Sequence, residues 1–320
     1  MGSVSYRRII ASVTFSLLLF LRWRMGGDFF LLGRFFPFGE WIQIVLLTLF
    51  AGWIANRIYF REERPMLRLR LWTLFAVLFY LQLLLGIVAD SRFLMSGELH
   101  FPVPSVILTG AVYRWEFGFM PILLLATILL SGGAWCSYLC YFGAFDAWAA
   151  GSGKYSRDSR RIIRNLFLLF FILVAIALRI LDLPSLWATI GGALSGVIGV
   201  VIVVVLSRKK RTMVHCTYFC PVGTVVTWLK DLSPFRYRIT ESCTACMRCV
   251  KVCRYGALTP ELIHKREINR NCTLCGDCQA VCGHQSFEYR FAGLSPIASE
   301  RLFFGVVTVL YVLFLAVARV

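Results

Sequence analysis

Residues 205–229, VLSRKKRTMVHCTYFCPVGTVVTWL, contain the point at which a long apolar run ends and a cysteine-containing segment begins. Four consecutive cations, Arg208 to Arg211, follow the apolar run, and Cys216 and Cys220 then precede a proline. The pattern also occurs earlier in the chain. CSYLCYFGAFDAW from Cys136 and CTYFCPVGTVVTW from Cys216 share C-[ST]-Y-[LF]-C-x2-G-x4-W. The chain therefore contains an internal repeat, and each copy follows an apolar stretch.

The composition is that of a membrane protein. Of the 320 residues, 58% are hydrophobic and only 16% are charged, and the mean hydropathy is +0.72, which is outside the range of soluble domains. Lys and Arg number 34 against 17 Asp and Glu, and the cations lie between the apolar runs. This is the charge distribution of membrane-protein loops. No soluble stretch combines a basic patch with interleaved aromatic residues, so nucleic-acid binding is excluded.

Six apolar stretches are long enough to cross about 30 Å of hydrocarbon and predict transmembrane helices: Trp41 to Ile58, Leu71 to Val88, Phe117 to Trp135, Ile163 to Leu181, Leu183 to Leu206 and Leu302 to Ala318. A seventh stretch, Ile9 to Leu21, has only 13 residues before Arg22. It is compatible with a short span, a tilted span or an interfacial helix. A signal peptide is the competing interpretation, since Arg7 and Arg8 precede it.

The cations predict the orientation of the helices. Alternate loops carry most of them, which by the positive-inside rule places these loops in the cytoplasm. The segment from Thr212 to Glu300 is then cytoplasmic. We expect a polytopic α-helical membrane protein of six to seven transmembrane helices with a soluble domain inserted before the last one. The predicted segments are residues 1–211 (helical, with the first cysteine pair), 212–239 (second pair and connector), 240–292 (soluble domain) and 293–320 (last helix).

Two cysteine runs lie within the inserted segment. CTACMRCVKVC, residues 243–253, and CTLCGDCQAVC, residues 272–282, both have the spacing C-x2-C-x2-C-x3-C. Two such runs are the bacterial two-cluster ferredoxin pattern, in which the fourth cysteine of each run ligates the other cluster. The rule assigns one [4Fe-4S] cluster to Cys243, Cys246, Cys249 and Cys282. It assigns the second to Cys272, Cys275, Cys278 and Cys253.

Structural zinc and disulfides are the alternatives to these two clusters. Zinc sites use separate C-x2-C knuckles, and a third cysteine two residues further on has no place in a tetrahedral site. Disulfides are rare in reducing cytoplasm. The sequence departs from the common pattern in one respect, since Arg254 and Gly283 replace the proline that often follows the fourth cysteine. This change removes no ligand.

The repeated pairs predict a further site. If both copies end helices that run in the same direction, Cys136, Cys140, Cys216 and Cys220 meet at one depth and form a four-thiolate site. A third redox cluster, a dithiol/disulfide relay, another metal such as copper, and inert packing cysteines are all compatible with this arrangement. Nearby Arg208 to Arg211 would favour thiolates. His215 either tunes or ligates this site, or only borders it.

Helices ending in C-x3-C-P copies before a two-cluster ferredoxin segment resemble the NapH and NosR type of membrane-bound ferredoxin-like proteins. The similarity extends over residues 90–288 and includes LMSGELHFPVPSVILTGAV, residues 94–112. It implies a redox subunit of a quinol-oxidising complex that serves periplasmic nitrate or nitrous oxide reduction. Tyr141 stands where the family pattern has a proline, the chain lacks the large flavin domain of NosR, and it has an additional helix after the ferredoxin segment.

Quinol oxidation would require proton acceptors, and Glu98 and His100 in the predicted outer loop are candidates, with ordinary interfacial residues as the alternative. Haem is not expected, because none of the four histidines lies near the middle of a span and no C-x-x-C-H motif occurs. Gly192 and Gly196 have the spacing of a close helix contact.

The sequence therefore predicts a subunit in the inner membrane of a bacterium or archaeon. It would relay electrons between quinone, quinol or a cytoplasmic donor and a partner oxidoreductase, with other redox subunits, some extracytoplasmic, and membrane lipid as partners. The rival function is an assembly or regulatory factor that reduces a metal or thiol while a partner oxidoreductase matures. Bound quinone would favour the relay.

Overall fold

The computed structural model describes residues 2–94, 103–116, 118–151 and 161–317. The chain in these ranges is mostly helical, with one two-stranded sheet. The helices and strands are α1 (Ser3–Met25), α2 (Gly39–Ile58), α3 (Arg64–Val88), α4 (Pro104–Arg114), α5 (Phe119–Ser131), α6 (Tyr141–Ala150), α7 (Arg161–Ile180), α8 (Ser185–Ile202), α9 (Arg208–Lys210), α10 (Pro221–Leu229), β1 (Arg236–Ile239), α11 (Arg248–Val252), α12 (Pro260–His264), α13 (Asp277–Ala280), β2 (Phe287–Arg290) and α14 (Pro296–Val317).

Seven helical segments of the described chain are long and apolar enough to cross a membrane: Ser3–Met25, Gly39–Ile58, Arg61–Val88, Met120–Leu139, Ile162–Ile180, Ser185–Lys210 and Pro296–Val317. Each of the six predicted spans coincides with one of them. The first segment has 23 residues, because the helix continues beyond the apolar stretch into flanking polar residues at both ends. At 1.5 Å per residue it is about 34 Å long, which is enough for a full span.

The described chain divides into two compact units. Unit 1 comprises Met1–His100 with Ile297–Val320, and unit 2 comprises Phe101–Pro296. Unit 1 contains the first three helices and α14, whereas unit 2 contains the remaining elements and all twelve cysteines.

In unit 1, α14 packs against the other helices along most of its length. The Tyr311 hydroxyl donates a hydrogen bond of 2.6 Å to the carbonyl of Leu71 on α3. At the start of α14, the Glu300 carboxylate accepts hydrogen bonds from Arg61 and Arg64, both at 2.5 Å. Arg64 and Glu300 are buried. A buried carboxylate with two guanidinium partners therefore links α3 to α14.

Unit 2 includes the helix α4, which lies within the predicted outer loop between the second and third predicted spans. It packs along α8, where the hydroxyls of Ser105 and Ser195 are 2.9 Å apart. The predicted close helix contact at Gly192 and Gly196 is formed with α4 and the residue before it. A Cβ atom at Gly196 would lie 2.7 Å from the Val103 side chain, so only glycine fits there without displacement.

Residues 236–290 contain both cysteine runs and are called the ferredoxin segment below. Strand β1 lies at the start of this segment and β2 at its end. β1 pairs with β2 in antiparallel register from Arg236 opposite Arg290 to Ile239 opposite Phe287. The side chains of Phe287 and Tyr289 are almost fully buried, and each such burial contributes roughly 1.5–3 kcal/mol. The strands thus bring the two ends of the cysteine-rich segment together and hold its eight cysteines in one compact body.

Candidate iron-sulfur centre

The two cysteine runs of the ferredoxin segment have the same backbone conformation. Ala245 and Met247 in the first run have φ angles of 53° and 61°, and Leu274 and Gly276 at the matching positions of the second have 59° and 83°. Three of these four are not glycine, so the left-handed conformation costs on the order of 1–3 kcal/mol at each of them. Turns of this type point successive backbone N–H groups into a concavity that suits an anionic iron-sulfur group.

The four residues predicted to hold the second cluster line one cavity. Cys253, Cys272, Cys275 and Cys278 border a partly open space of about 370 Å³. The Tyr237 hydroxyl lies 3.4 Å from the sulfur of Cys278. The amide of Ala257 donates a hydrogen bond of 3.3 Å to the sulfur of Cys253. We call these four cysteines the second quartet.

The residues predicted to hold the other cluster, which we call the first quartet, are Cys243, Cys246, Cys249 and Cys282. Cys249 is part of a buried core against which Cys243 and Cys282 pack, whereas Cys246 is exposed. The sulfur of Cys282 accepts a hydrogen bond of 3.4 Å from the amide of Ser286. The fourth cysteine of each run thus receives an amide from the residue four positions further on.

The two C-x3-C copies also share one local structure. Each first cysteine lies in a five-residue π-helical turn, Trp135–Leu139 or His215–Phe219. Such turns are rare and occur often at functional sites. Cys140 and Cys220 follow with extended conformation (φ −83°, ψ 112° and φ −81°, ψ 117°), and each is the N-cap of the next helix, α6 or α10. Pro221 occupies the first turn of α10, where it begins a helix.

The structure brings Cys136, Cys140, Cys216 and Cys220 together, and we call them the four-cysteine site. Every pair among the four is close enough for an electrostatic interaction between the thiols. Burial raises the pKa of Cys220 to about 12 and raises those of Cys140 and Cys216. The amides of Phe142 and Gly143 oppose the shift at Cys140. Without a bound cation these thiols are therefore neutral at pH 7.

The cations expected beside this site are elsewhere. Arg208, Lys209, Lys210 and Arg211 are all exposed. Two cations border it instead: Lys230, whose charge interacts with Cys136 and Cys272, and Arg164, which lines the same space as Cys136 and Cys216. Lys230 is partly buried, and desolvation lowers its pKa.

Two further polar residues surround the four-cysteine site. The buried carboxylate of Asp146 accepts a hydrogen bond of 2.9 Å from the amide of Cys216. Burial raises the pKa of Asp146 to about 6. The ring of His215 is partly buried and lies against Phe142, with ring centroids 4.7 Å apart. Desolvation lowers its pKa to about 4, so it is a neutral ring beside the site at pH 7.

A set of hydrogen bonds joins the four-cysteine site to the second quartet. Tyr138 donates to the carbonyl of Cys275 at 2.8 Å, and Tyr255 donates back to the carbonyl of Cys136 at 3.1 Å. Gly133 allows a close backbone approach, because a Cβ atom there would lie 2.8 Å from the Cα atom of Thr273. These contacts hold the second run directly against the first C-x3-C copy.

A second cavity, partly open to solvent, lies at this junction and is bordered by Cys136, Cys216 and Cys272. Cys272 also borders the cavity of the second quartet. Lys230 lines the junction and donates a hydrogen bond of 2.9 Å to the carbonyl of Cys272. Arg164 lines it as well and donates to the Asn271 side chain at 3.0 Å. We call this space the junction cavity.

The donor set and its geometry fit iron-sulfur groups better than single metal ions. A tetrahedral zinc site has Zn–S bonds of about 2.3 Å and needs its sulfurs within roughly 4 Å of one another. Across the described ranges, no three Cys, His, Asp or Glu side chains are grouped to hold a single metal ion. Four cysteines border the second-quartet cavity, which is the number of thiolates that an iron-sulfur cluster takes. All twelve cysteines are free thiols.

Three other residues were singled out from the sequence: Glu98, His100 and Arg254. Glu98 and His100 lie outside the described residues. Arg254, at one of the positions that often hold proline, donates a hydrogen bond of 2.7 Å to the carbonyl of Gly151 and forms an ion pair of 3.6 Å with Asp277. It fastens the ferredoxin segment to α6.

Sequence reasoning did not find Lys230, Arg164, Tyr255 or Asp146. Asp146 carried a usable signal, since it is the one acid in an otherwise uncharged 13-residue copy. Tyr138 belongs to the shared repeat pattern, which indicated a role without its partner. Lys230 and Arg164 had no such signal, because their neighbours come from distant parts of the sequence.

Comparison with known protein families agrees with this geometry. A family model described as a 4Fe-4S binding domain matches twice, over residues 113–161 and 192–240, so that each match contains one C-x3-C copy. A second model with the same description matches residues 237–259, which include the first cysteine run of the ferredoxin segment. No curated protein and no solved structure matches the chain significantly. The chain therefore carries ferredoxin-type 4Fe-4S binding domains together with several apolar helices, seven of which are candidate membrane spans.

Proposed function

We propose that this protein is a membrane-bound electron-transfer subunit in which three iron-sulfur sites lie in series. The first and second quartets each hold a [4Fe-4S] cluster, and the four-cysteine site holds a third iron-sulfur cluster. The observation that carries the proposal is the position of Cys272, which borders both the second-quartet cavity and the junction cavity with Cys136 and Cys216. The second quartet is thereby the neighbour of the four-cysteine site.

The exposure of the cysteines supports an order for the series. Cys246 of the first quartet is the one exposed cysteine of the twelve, whereas each of the three sites includes one buried cysteine: Cys220, Cys249 or Cys278. An external redox partner therefore reaches the first quartet most directly. The four-cysteine site adjoins the second quartet through the junction cavity. Clusters bound at the three sites would supply one-electron transfer between neighbouring sites, in which one site is oxidised as the next is reduced and no covalent bond changes.

The residues of the chain perform the supporting tasks. Iron-sulfur clusters supply one-electron storage at potentials between roughly −700 and +450 mV, set by charge, hydrogen bonds to sulfur and solvent exposure. Amides from Gly223, Ala257 and Ser286 donate to cysteine sulfurs. The tyrosine pair Tyr138 and Tyr255 holds two neighbouring sites at a constant separation.

The resemblance to the NapH and NosR type extends the proposal to partners and location. We propose that the chain resides in the cytoplasmic membrane with its ferredoxin segment in the cytoplasm. There it exchanges electrons with a quinone pool or a cytoplasmic donor and with a partner oxidoreductase. Oxidation of one quinol would release two electrons and two protons, and Glu98 and His100 remain predicted acceptors for those protons. Trypsin applied to inverted membrane vesicles, but not to intact spheroplasts, should cleave the ferredoxin segment.

Counting iron and acid-labile sulfide per chain tests the three-site proposal. Anaerobically purified protein should contain about twelve irons if all three sites hold four-iron clusters. Cys216→Ser should lower this number to about eight without removing the signals of the ferredoxin segment. Cys275→Ser, the matched control, should instead remove irons from the second quartet. About eight irons in the unmodified protein, unchanged by Cys216→Ser, would overturn the third site.

A further inference from the structure

The junction cavity contains two cations whose role the relay alone does not explain. Lys230 is partly buried and its ammonium group donates to the carbonyl of Cys272 at 2.9 Å. Arg164 is also buried, and one of its terminal nitrogens donates to Asn271, the residue before Cys272. Both side chains line the same space as Cys136 and Cys216.

The ammonium group of Lys230 lies beside both proposed redox sites. The adjacent acid, Asp231, is half exposed and pairs with Arg270. The polar partner of the Lys230 ammonium is the Cys272 carbonyl, and its charge interacts with the cysteines at 136 and 272. A carbonyl carries no net charge, so the cation retains most of its field at the junction.

We propose that Lys230 sets the relative potentials of the second quartet and the four-cysteine site, with Arg164 as a weaker second cation, and so keeps both reducible across the junction. This inference rests on the proposed function. Lys230 acts through the cysteine ligands and is a positioning residue for charge, not a catalytic one.

The direction of the effect follows from electrostatics. One-electron reduction makes a thiolate-ligated iron-sulfur group more negative by one charge. A partly buried cation nearby stabilises the more negative form, because low-dielectric surroundings weaken its field less than water does. Lys230 therefore raises the reduction potential of the sites it faces. None of the residues that line the junction cavity is a first-quartet cysteine, so the first quartet should feel much less of this field.

Potentiometric titration with dithionite as electron donor, followed by EPR, tests the inference in the full chain in detergent. Lys230→Met should shift the reduction equilibrium of the second quartet about tenfold toward the oxidised form, which is about 59 mV for a one-electron couple. Lys230→Arg should restore most of the shift, because it keeps the charge. Lys265→Met, at an exposed position of the same segment, should leave all potentials unchanged. Cys275→Ser identifies which signal belongs to the second quartet.

The outcomes separate this inference from the proposed function. A normal iron content with unmoved potentials in Lys230→Met overturns the role of Lys230 and leaves the relay intact. Equal shifts for Lys230→Arg and Lys230→Met also overturn it, since a packing effect would then explain both. If Lys230→Met lowers the amount of folded protein, Arg164→Met serves instead, with the same sign and a smaller shift expected. An unmodified protein with only eight irons refutes the third site, while the second-quartet potential still tests Lys230.

Discussion

The ring of His215 lies against Phe142, and a Cβ atom on Gly199 would come within 3.0 Å of it. Its Nδ1 atom has no hydrogen-bond partner in the described part of the chain. A charged imidazolium would be poorly solvated there, which is why burial lowers the pKa. This partly buried histidine beside the four-cysteine site thus makes the folded state sensitive to acid.

The free energy of unfolding should decrease on acidification because of His215. The folded-state pKa of His215 is about 4, and an unfolded histidine has a pKa near 6.5. Between these values the unfolded chain takes up a proton that the folded chain does not. The stability contributed by a neutral His215 is therefore fully present above about pH 6.5 and is lost as the pH falls toward 4. The contribution of His215 to this loss is up to about 3 kcal/mol.

We predict that His215→Phe reduces the loss of stability on acidification. The measurement is the midpoint temperature of unfolding in detergent at pH 7.5 and pH 5 for the unmodified protein and the variant. The unmodified protein should lose more of its midpoint temperature than the variant. His264→Phe, at an exposed position, is the control and should behave like the unmodified protein. An equal loss in His215→Phe and the unmodified protein would show that His215 does not carry this dependence.

Pairs of equivalent elements build the site. Each C-x3-C copy ends a π-helical turn and starts a short helix. The second cysteine of each copy therefore lies at a helix N-terminus, where amides and the helix dipole favour a thiolate. At Cys220 the amide donor is Gly223, at 3.4 Å.

Gly223 has a second function at the level of packing. A Cβ atom at this position would lie 2.8 Å from the carbonyl oxygen of Cys216, which is backbone and cannot rotate away. Alanine must therefore push the start of α10 away from the preceding π-helical turn. The displacement would separate two cysteines of the four-cysteine site.

We predict that Gly223→Ala lowers the iron content by about four atoms per chain and leaves the EPR signals of the ferredoxin segment in place. Gly191→Ala is the matched control, since a Cβ atom at Gly191 meets no atom within 4 Å, and it should retain the full iron content. A Gly223→Ala protein with unchanged iron and sulfide would contradict the assignment of Cys216 and Cys220 to a metal site.

On the scale of the whole molecule, the division into two units separates structural tasks from redox tasks. All twelve cysteines belong to unit 2. Unit 1 instead contains the ion group of Glu300, Arg61 and Arg64, in which Glu300 and Arg64 are buried and Arg61 is partly exposed. Arg64 also stacks on the ring of Phe304 at 4.2 Å and donates to the carbonyl of Ile58 at 2.6 Å.

We predict that Glu300→Ala destabilises unit 1 by about 3–5 kcal/mol, because it leaves buried cations without their carboxylate. The measurement is the unfolding midpoint in detergent, with iron content determined on the same samples. Glu62→Ala is the control, since Glu62 is exposed and should change stability by less than about 0.5 kcal/mol. If Glu300→Ala unfolds no earlier than Glu62→Ala, the ion group does not stabilise unit 1.

Several features of this protein followed from local sequence patterns alone. The apolar stretches predicted the six long helical segments, because helix length and apolar composition are properties of contiguous residues. The spacing of the cysteine runs predicted a ferredoxin-type segment for the same reason, since spacing restricts which sulfurs can surround one centre. The repeat that begins at Cys136 and Cys216 indicated a common local structure.

Tertiary structure decided what these local patterns could not. Helix α4 was not predicted, because its 11 residues gave no span-length apolar signal and its packing on α8 depends on glycines about 90 positions away. The cations at positions 208–211 are close to the four-cysteine site in sequence, but the folded chain exposes them to solvent. The chain path instead places Lys230 and Arg164 beside Cys272. Local conformation depends on residues that are neighbours in sequence, whereas electrostatic interactions and packing depend on distance in space. Only the folded chain therefore brings Cys136, Cys216 and Cys272 around one cavity.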